Sequence, residues 1–256
     1  MKRSLLLLIP ALALVTLPCT AQQQDIEWYA VFAEHVPSSN LLAYEEAGQD
    51  LVSIFGESEI TDVSWATVSS FDLGYSYVFA GTGPADLAEL YARLGAAMEA
   101  IGERGAAAMK KSDGLVESRD IFFLTLRPDL SYLSEAGGFS ADSPFRINLH
   151  LFVQPAMVEE FETAVQEWVE AYAELGIEHG WRTYQYATGN DLPAYLMVET
   201  AVDHLDYYTW TAEVEKTLGD RGWELWEKAM PAIRRMDQSY GWYREDLSYA
   251  APEEGS

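Results

Sequence analysis

Gly102-Glu103-Arg104-Gly105 and Arg127-Pro128-Asp129-Leu130-Ser131-Tyr132 return 117 positions later as Gly219-Asp220-Arg221-Gly222 and Arg244-Glu245-Asp246-Leu247-Ser248-Tyr249. One offset aligns all of 102–132 with 219–249 without a gap, and ten of those 31 positions are identical, Lys111 with Lys228 and Asp120 with Asp237 among them. Upstream the register drifts by a residue: Trp65-x-Thr67 meets Trp181-x-Thr183, Tyr77 meets Tyr195, and Leu87 meets Leu205. The chain is a tandem duplication. Two copies that keep their element ends predict two equivalent units around a pseudo-two-fold axis.

Each copy reads strand, helix, strand, strand, helix, strand. In the first, Trp28 to Glu34 alternates as a strand, Pro37-Ser-Ser-Asn40 opens a helix, and strands follow at about 62–70 and 74–80. Pro84 then begins a helix with Leu87, Leu90, Tyr91, Leu94, Met98 and Ile101 at helical spacing, which Gly102 and Gly105 are expected to end before a last strand at 120–127. The second copy repeats the plan with strands at 146–153, 181–187, 193–199 and 233–244, and with a helix from Pro155 that Gly176 stops. Its second helical stretch comes in two pieces, 203–218 and 223–230. Thr188-Gly-Asn-Asp191 is a hairpin turn by composition.

Lys2-Arg3, the apolar run Leu5 to Leu17 and the small residues around Cys19-Thr-Ala21 read as a secretory leader, which predicts export and a mature start at Gln22. The expected organisation is therefore a leader over 1–21, repeats over 22–133 and 146–249, a linker over 134–145 marked by Gly137-Gly138, and a tail over 250–256. Cys19 is the only cysteine and would leave with the leader, so no disulfide or thiolate chemistry is expected. No other apolar run is long enough to span a bilayer. The net charge of −25 becomes −27 without Lys2 and Arg3. A field of that sign repels phosphate backbones and anionic headgroups, which argues against nucleic acid and membrane partners.

A four-stranded antiparallel sheet with both helices on one face leaves its other face bare, and pairing two such sheets covers it. This order of elements, duplicated over residues 26–249, resembles the dimeric α/β-barrel superfamily of ferredoxin-like domains, which includes the antibiotic biosynthesis monooxygenase-like and chlorite dismutase-like families. The resemblance implies an α+β fold of two tandem ferredoxin-like repeats closed into one intramolecular barrel. It also implies either a small molecule bound between the sheets or a cofactor-independent oxygenase; a structural protein with a self-filled barrel is the third alternative. Haem held by one histidine occurs in the superfamily, but nothing around His150, His179 or His204 marks an axial ligand, so no cofactor is expected.

The candidate chemistry lies on the strand 146–153, which separates into an aliphatic face, Ile147, Leu149, Leu151 and Val153, and a polar one with Arg146, Asn148 and His150. The aliphatic face belongs under the helices. The polar face then points between the sheets, where His150 could move a proton while Arg146 and Asn148 anchor a ligand. Trp28, Ala30 and Phe32 are taken as the matching positions of the first copy, giving a cavity polar on one side and aromatic on the other. Trp65 and Trp181 stand at equivalent strand positions, either as ligand wall or as matched packing. The repeated Arg-x-Asp-Leu-Ser-Tyr fits a structural pairing or cap better than an active-site signature. No His spacing suits a preformed metal site.

Overall fold

The computed structural model describes residues 26–133, 142–189 and 191–252. The expected leader, most of the expected linker and the end of the tail lie outside these residues. The first repeat comprises β1 (Trp28–His35), α1 (Leu41–Glu57), β2 (Ala66–Ser70), β3 (Gly74–Ala80), α2 (Leu87–Asp113) and β4 (Ser118–Leu126). The second comprises β5 (Phe145–Val153), α3 (Val158–Leu175), β6 (Trp181–Tyr186), β7 (Ala194–Ala201), α4 (His204–Leu218), α5 (Asp220–Ala229) and β8 (Ile233–Tyr243). Gly176 caps α3 in the left-handed conformation, as its position predicted.

One helix boundary differs from expectation: α2 runs on past Gly102 to Asp113. Gly102 breaks the helix without ending it, at φ 60° and ψ −151°, and its equivalent Gly219, at φ 54° and ψ −135°, separates α4 from α5. A Cβ makes that backbone region costly, which explains a glycine at both places. Beyond the break, Arg104 pairs with Glu57 and Arg221 with Glu174, again 117 positions apart.

Within each repeat the strand order is 4-1-3-2, β4-β1-β3-β2 and β8-β5-β7-β6. The two sheets then join edge to edge, β2 to β8 and β4 to β6, and close an eight-stranded antiparallel barrel. Closure leaves no unpaired strand edge. The fold is α+β, two ferredoxin-like repeats with helices outside a common barrel. Helix stripes cover the outward face of the strands: Phe55, Leu90 and Ile101 pack on Ala30, Phe79 and Phe123, while Tyr172 and Trp210 pack on Ile147 and Trp181.

Pairing registers fix which residues of the repeats correspond. Ala33 faces Asp120 and His150 faces Asp237, so the offset of 117 that relates the two aspartates also relates β1 to β5. Glu34 faces Tyr75 and Leu151 faces Tyr195, which makes Tyr75 the equivalent of Tyr195 and corrects the expected match to Tyr77.

The repeated Arg-x-Asp-Leu-Ser-Tyr forms two reciprocal clasps, each reaching from the end of one repeat into the other. Leu130 is fully buried in the second repeat's core among Leu151, Phe161 and Tyr195, and Leu247 sits with Val36, Tyr44 and Tyr75 in the first. The Leu130 carbonyl accepts hydrogen bonds from Trp181 Nε1 at 2.9 Å and Thr183 Oγ1 at 2.6 Å; the Leu247 carbonyl accepts from Trp65 Nε1 at 2.8 Å and Thr67 Oγ1 at 2.7 Å. Arg127 holds Asp129 and reaches Glu162 on α3, which Tyr195 also contacts; Arg244 holds Asp246 and reaches Glu45 on α1, which Tyr75 also contacts. Buried carbonyls with two donors each are fully satisfied, so the clasp is structural in both copies.

Candidate functional site

The alternation of β5 puts Arg146, Asn148 and His150 inside the barrel, and Ile147, Leu151 and Val153 under the helices. The barrel is not filled by its own side chains. It encloses a cavity of about 710 Å³ lined by every strand. Strands of the first repeat contribute Tyr29, Val31 and Ala33 from β1, Val68 and Ser70 from β2, Val78 from β3, and Asp120, Phe122 and Leu124 from β4. The second repeat adds Tyr184 and Tyr186 from β6, Leu196 and Val198 from β7, and Ser239 and Tyr243 from β8.

His150 Nδ1 lies 2.8 Å from the Tyr186 hydroxyl. Burial lowers the His150 pKa, against the opposing pull of Asp237 and Asp72, so the ring is neutral near pH 7. Burial raises the Tyr186 pKa and keeps its hydroxyl protonated. A neutral imidazole held at one nitrogen by a phenol presents the other nitrogen to the cavity, where it can hydrogen-bond a ligand or take a proton. Arg146 is 6% exposed, with its guanidinium 5.6 Å from the centre of the Tyr243 ring and a bond to the Phe145 carbonyl at 3.3 Å. Burial pushes its pKa down to about 10, which leaves it charged.

Three residues named as candidates for the ligand wall lie elsewhere, Trp65 and Trp181 in the packing role that was their alternative. Phe32 points toward the helices, its ring 5.3 Å from Phe79 and 6.0 Å from Tyr91. The true partners of Arg146, Asn148 and His150 are Tyr29, Val31 and Ala33, because the offset in β1 is 117 and a slip of one residue turns every side chain to the other face. Trp65 and Trp181 are 8% and 4% exposed, bonded to the clasp carbonyls and packed on Phe55 and Tyr172 outside the barrel. The wall opposite β5 is therefore aliphatic at Val31, Ala33 and Val68, with Tyr29 and Phe122 beside them. Tyr29, Tyr184, Tyr186 and Tyr243 escaped the sequence reading as a set, although strand parity already placed Tyr184 and Tyr186 on the face opposite Trp181.

The remaining histidines have other surroundings. His35 stands at the cavity's end 3.6 Å from Glu117, His179 stacks on Trp210 with ring centres 4.7 Å apart, and His204 packs on Phe145 at 4.2 Å. Among the described residues no group of three or more His, Cys, Asp or Glu is placed to hold a metal ion. His35 and His150 line the cavity, and the Tyr186 hydroxyl at His150 Nδ1 leaves the opposite ring nitrogen as the one that could hold a haem iron. No helix among the described residues is long and apolar enough to cross a membrane.

The closed eight-stranded barrel and its outer helices define a protein with the dimeric α/β-barrel fold, both halves carried on one polypeptide. Solved structures share it. An anthrone oxidase-like protein superposes with a TM-score of 0.57 at 10% identity, over 87% of this chain and 93% of its own. A presumed monooxygenase from Lactobacillus acidophilus NCFM gives 0.54 at 8% identity, over 89% and 97%. A mutant chlorite dismutase from Candidatus Nitrospira defluvii, in complex with cyanide, gives 0.52 at 11% identity, over 86% and 92%. Residues 129–251, which span the second repeat, match a family described as "Uncharacterized protein conserved in bacteria N-term (DUF3322)". No curated protein matches the sequence.

Proposed function

We propose that the protein is exported and holds one small, partly apolar molecule inside its barrel. The observation that carries this reading is the contrast between the two copies. The clasps repeat residue for residue, whereas the cavity does not: Val31, Ala33, Val68 and Ser70 of the first copy correspond to Asn148, His150, Tyr184 and Tyr186 of the second. Packing needs would keep both copies alike. A largely apolar cavity with a few inward polar groups is what a ligand site requires. Export rests on the leader-like N-terminus, and the acidic charge disfavours nucleic acid as the partner.

Native mass spectrometry of the purified protein tests the reading, with a bound small molecule or saturable one-to-one uptake of the neutral probe N-phenyl-1-naphthylamine expected. Ala33→Trp, which fills the cavity from the aliphatic wall, should abolish uptake while the fold survives. Uptake unchanged in that variant would move the site elsewhere. Mass analysis of exported protein should find Gln22 at the N-terminus.

A second reading has one observation in its favour. Neutral His150, oriented by Tyr186 inside the barrel, suits a general base, and proteins of this fold carry oxidase or monooxygenase names. As a cofactor-independent oxygenase the protein would consume dissolved oxygen with an acidic substrate, and His150→Gln would abolish that uptake without removing binding.

A further inference from the structure

The two walls of the cavity differ in chemistry at the same height in the barrel. Asn148 and His150 on β5 stand at the level of Val31 and Ala33 on β1, because both pairs share the 117 register. On the neighbouring strands Tyr184 and Tyr186 correspond in the same way to Val68 and Ser70, since Leu126 faces Tyr184 and its equivalent Tyr243 faces Val68. A symmetric barrel would carry four bulky polar side chains on each wall. On β1 and β2 the first copy has small ones instead, and on β8 the second copy has Ser239 where the first has Phe122.

Arg146 lines the cavity at one end, and Glu34, His35, Asp72 and Asp120 line it toward the other. The level of Val31 and Asn148 is uncharged, while at the level of Ala33 and His150 the neighbouring strands carry Asp120 and Asp237. Burial holds His150 neutral and keeps the phenols of Tyr184 and Tyr186 protonated. An anion placed beside Asn148 and His150 would lose its hydration next to Asp120 and Asp237, whereas a neutral polar edge would find hydrogen-bonding partners. Asn148 and His150 are two residues apart on one strand, about 7 Å along it, and both face inward.

We propose that the cavity is a one-sided site for a single uncharged molecule, with its hydrogen-bonding edge turned to Asn148 and His150 and its hydrocarbon edge against Val31, Ala33 and Val68. Ala33 and Val68 then set the width of the ligand, and Asn148 and His150 set its orientation. This rests on the reading of the barrel as a ligand site and adds the ligand's chemical class and pose.

Matched probes separate the two claims. Naphthalene and 2-naphthol differ by one hydroxyl, and 2-naphthoate adds a charge to the same ring system; each is titrated as a competitor of N-phenyl-1-naphthylamine. The wild-type protein should bind 2-naphthol about tenfold more tightly than naphthalene, the scale of one good hydrogen bond, and 2-naphthoate more weakly than 2-naphthol. Asn148→Leu with His150→Phe should erase the preference for 2-naphthol over naphthalene. Ala33→Leu and Val68→Phe should weaken naphthalene and 2-naphthol together, with circular dichroism confirming the fold of each variant. Equal affinity for naphthalene and 2-naphthol in the wild type would overturn the one-sided site while leaving the barrel as a binding cavity. Tighter binding of 2-naphthoate would overturn the uncharged class. If no probe enters the barrel, the underlying ligand-site reading falls as well.

Discussion

Leu247→Ala puts the clasp to a quantitative test. Leu247 is 1% exposed and fills the space between β1, β3 and α1 beside Val36, Tyr44 and Tyr75. Removing three buried carbon atoms costs about 2.4 kcal/mol in transfer free energy at about 0.8 kcal/mol each. The cavity left behind brings the loss to about 3–4 kcal/mol. A second substitution checks the geometry. A Cβ added to Gly48 on α1 would lie 2.9 Å from Leu247 Cδ2. Gly48→Ala alone should therefore offset its helix-propensity gain of about 1 kcal/mol with strain of about 1–2 kcal/mol. In the Leu247→Ala background the opposing atom is gone, so the same change should stabilise by about 1 kcal/mol. The double-mutant cycle should show a coupling of about 1–2 kcal/mol. Urea denaturation followed by tryptophan fluorescence measures it, with Trp65 bonded to the Leu247 carbonyl as a local reporter. A loss below about 1 kcal/mol, or a Gly48→Ala effect identical in both backgrounds, would refute the packing account. Affinity for N-phenyl-1-naphthylamine should not change, since Leu247 lies outside the cavity.

Three further outcomes are expected. Hydrogen bonds from Arg244 lower the pKa of Glu45 and bring Asp246 to about 2, and those from Arg127 lower Glu162 and Asp129; because the unfolded chain binds these protons more readily, their stabilisation is complete above roughly pH 5 and is lost as pH falls toward 2, so acid melts of Arg127→Gln and Arg244→Gln should show a shallower pH dependence than the wild type. His150, with its pKa lowered by burial, should titrate below 6.5 by NMR, and since the unfolded chain takes up that proton first, stability should decline as pH drops through 6.5 and decline less in His150→Gln. Gly102→Ala and Gly219→Ala each force a Cβ into a positive-φ conformation and should cost about 1–3 kcal/mol in denaturant titrations, although nothing lies within 4 Å of either added carbon.

Much of the architecture was legible because duplication and periodicity are local signals. The gapless block announced two repeats, the strand and helix patterns ordered the elements, and the alternation of β5 already separated Arg146, Asn148 and His150 from the aliphatic face. Those three residues do line the cavity. Phe32 was misplaced for an equally local reason: Trp28 to Glu34 has large side chains on both faces, so its own pattern does not say which face is inner. Its pairing with β4 decides that, and β4 lies some ninety residues away.

Sequence alone thus determined the duplication, the element order and the polar face of β5, since each depends on residues close together in the chain. Tertiary structure decided the rest. Only the joining of β2 to β8 and β4 to β6 closes the barrel, and only that closure shows Trp65 and Trp181 bound to the opposite repeat's clasp rather than to a ligand. The cavity itself follows from side chains facing each other across the barrel, small on β1 and β2 and large on β5 and β6. Such contacts depend on register between distant strands, and a register shift of one residue exchanges the inside of a sheet for its outside.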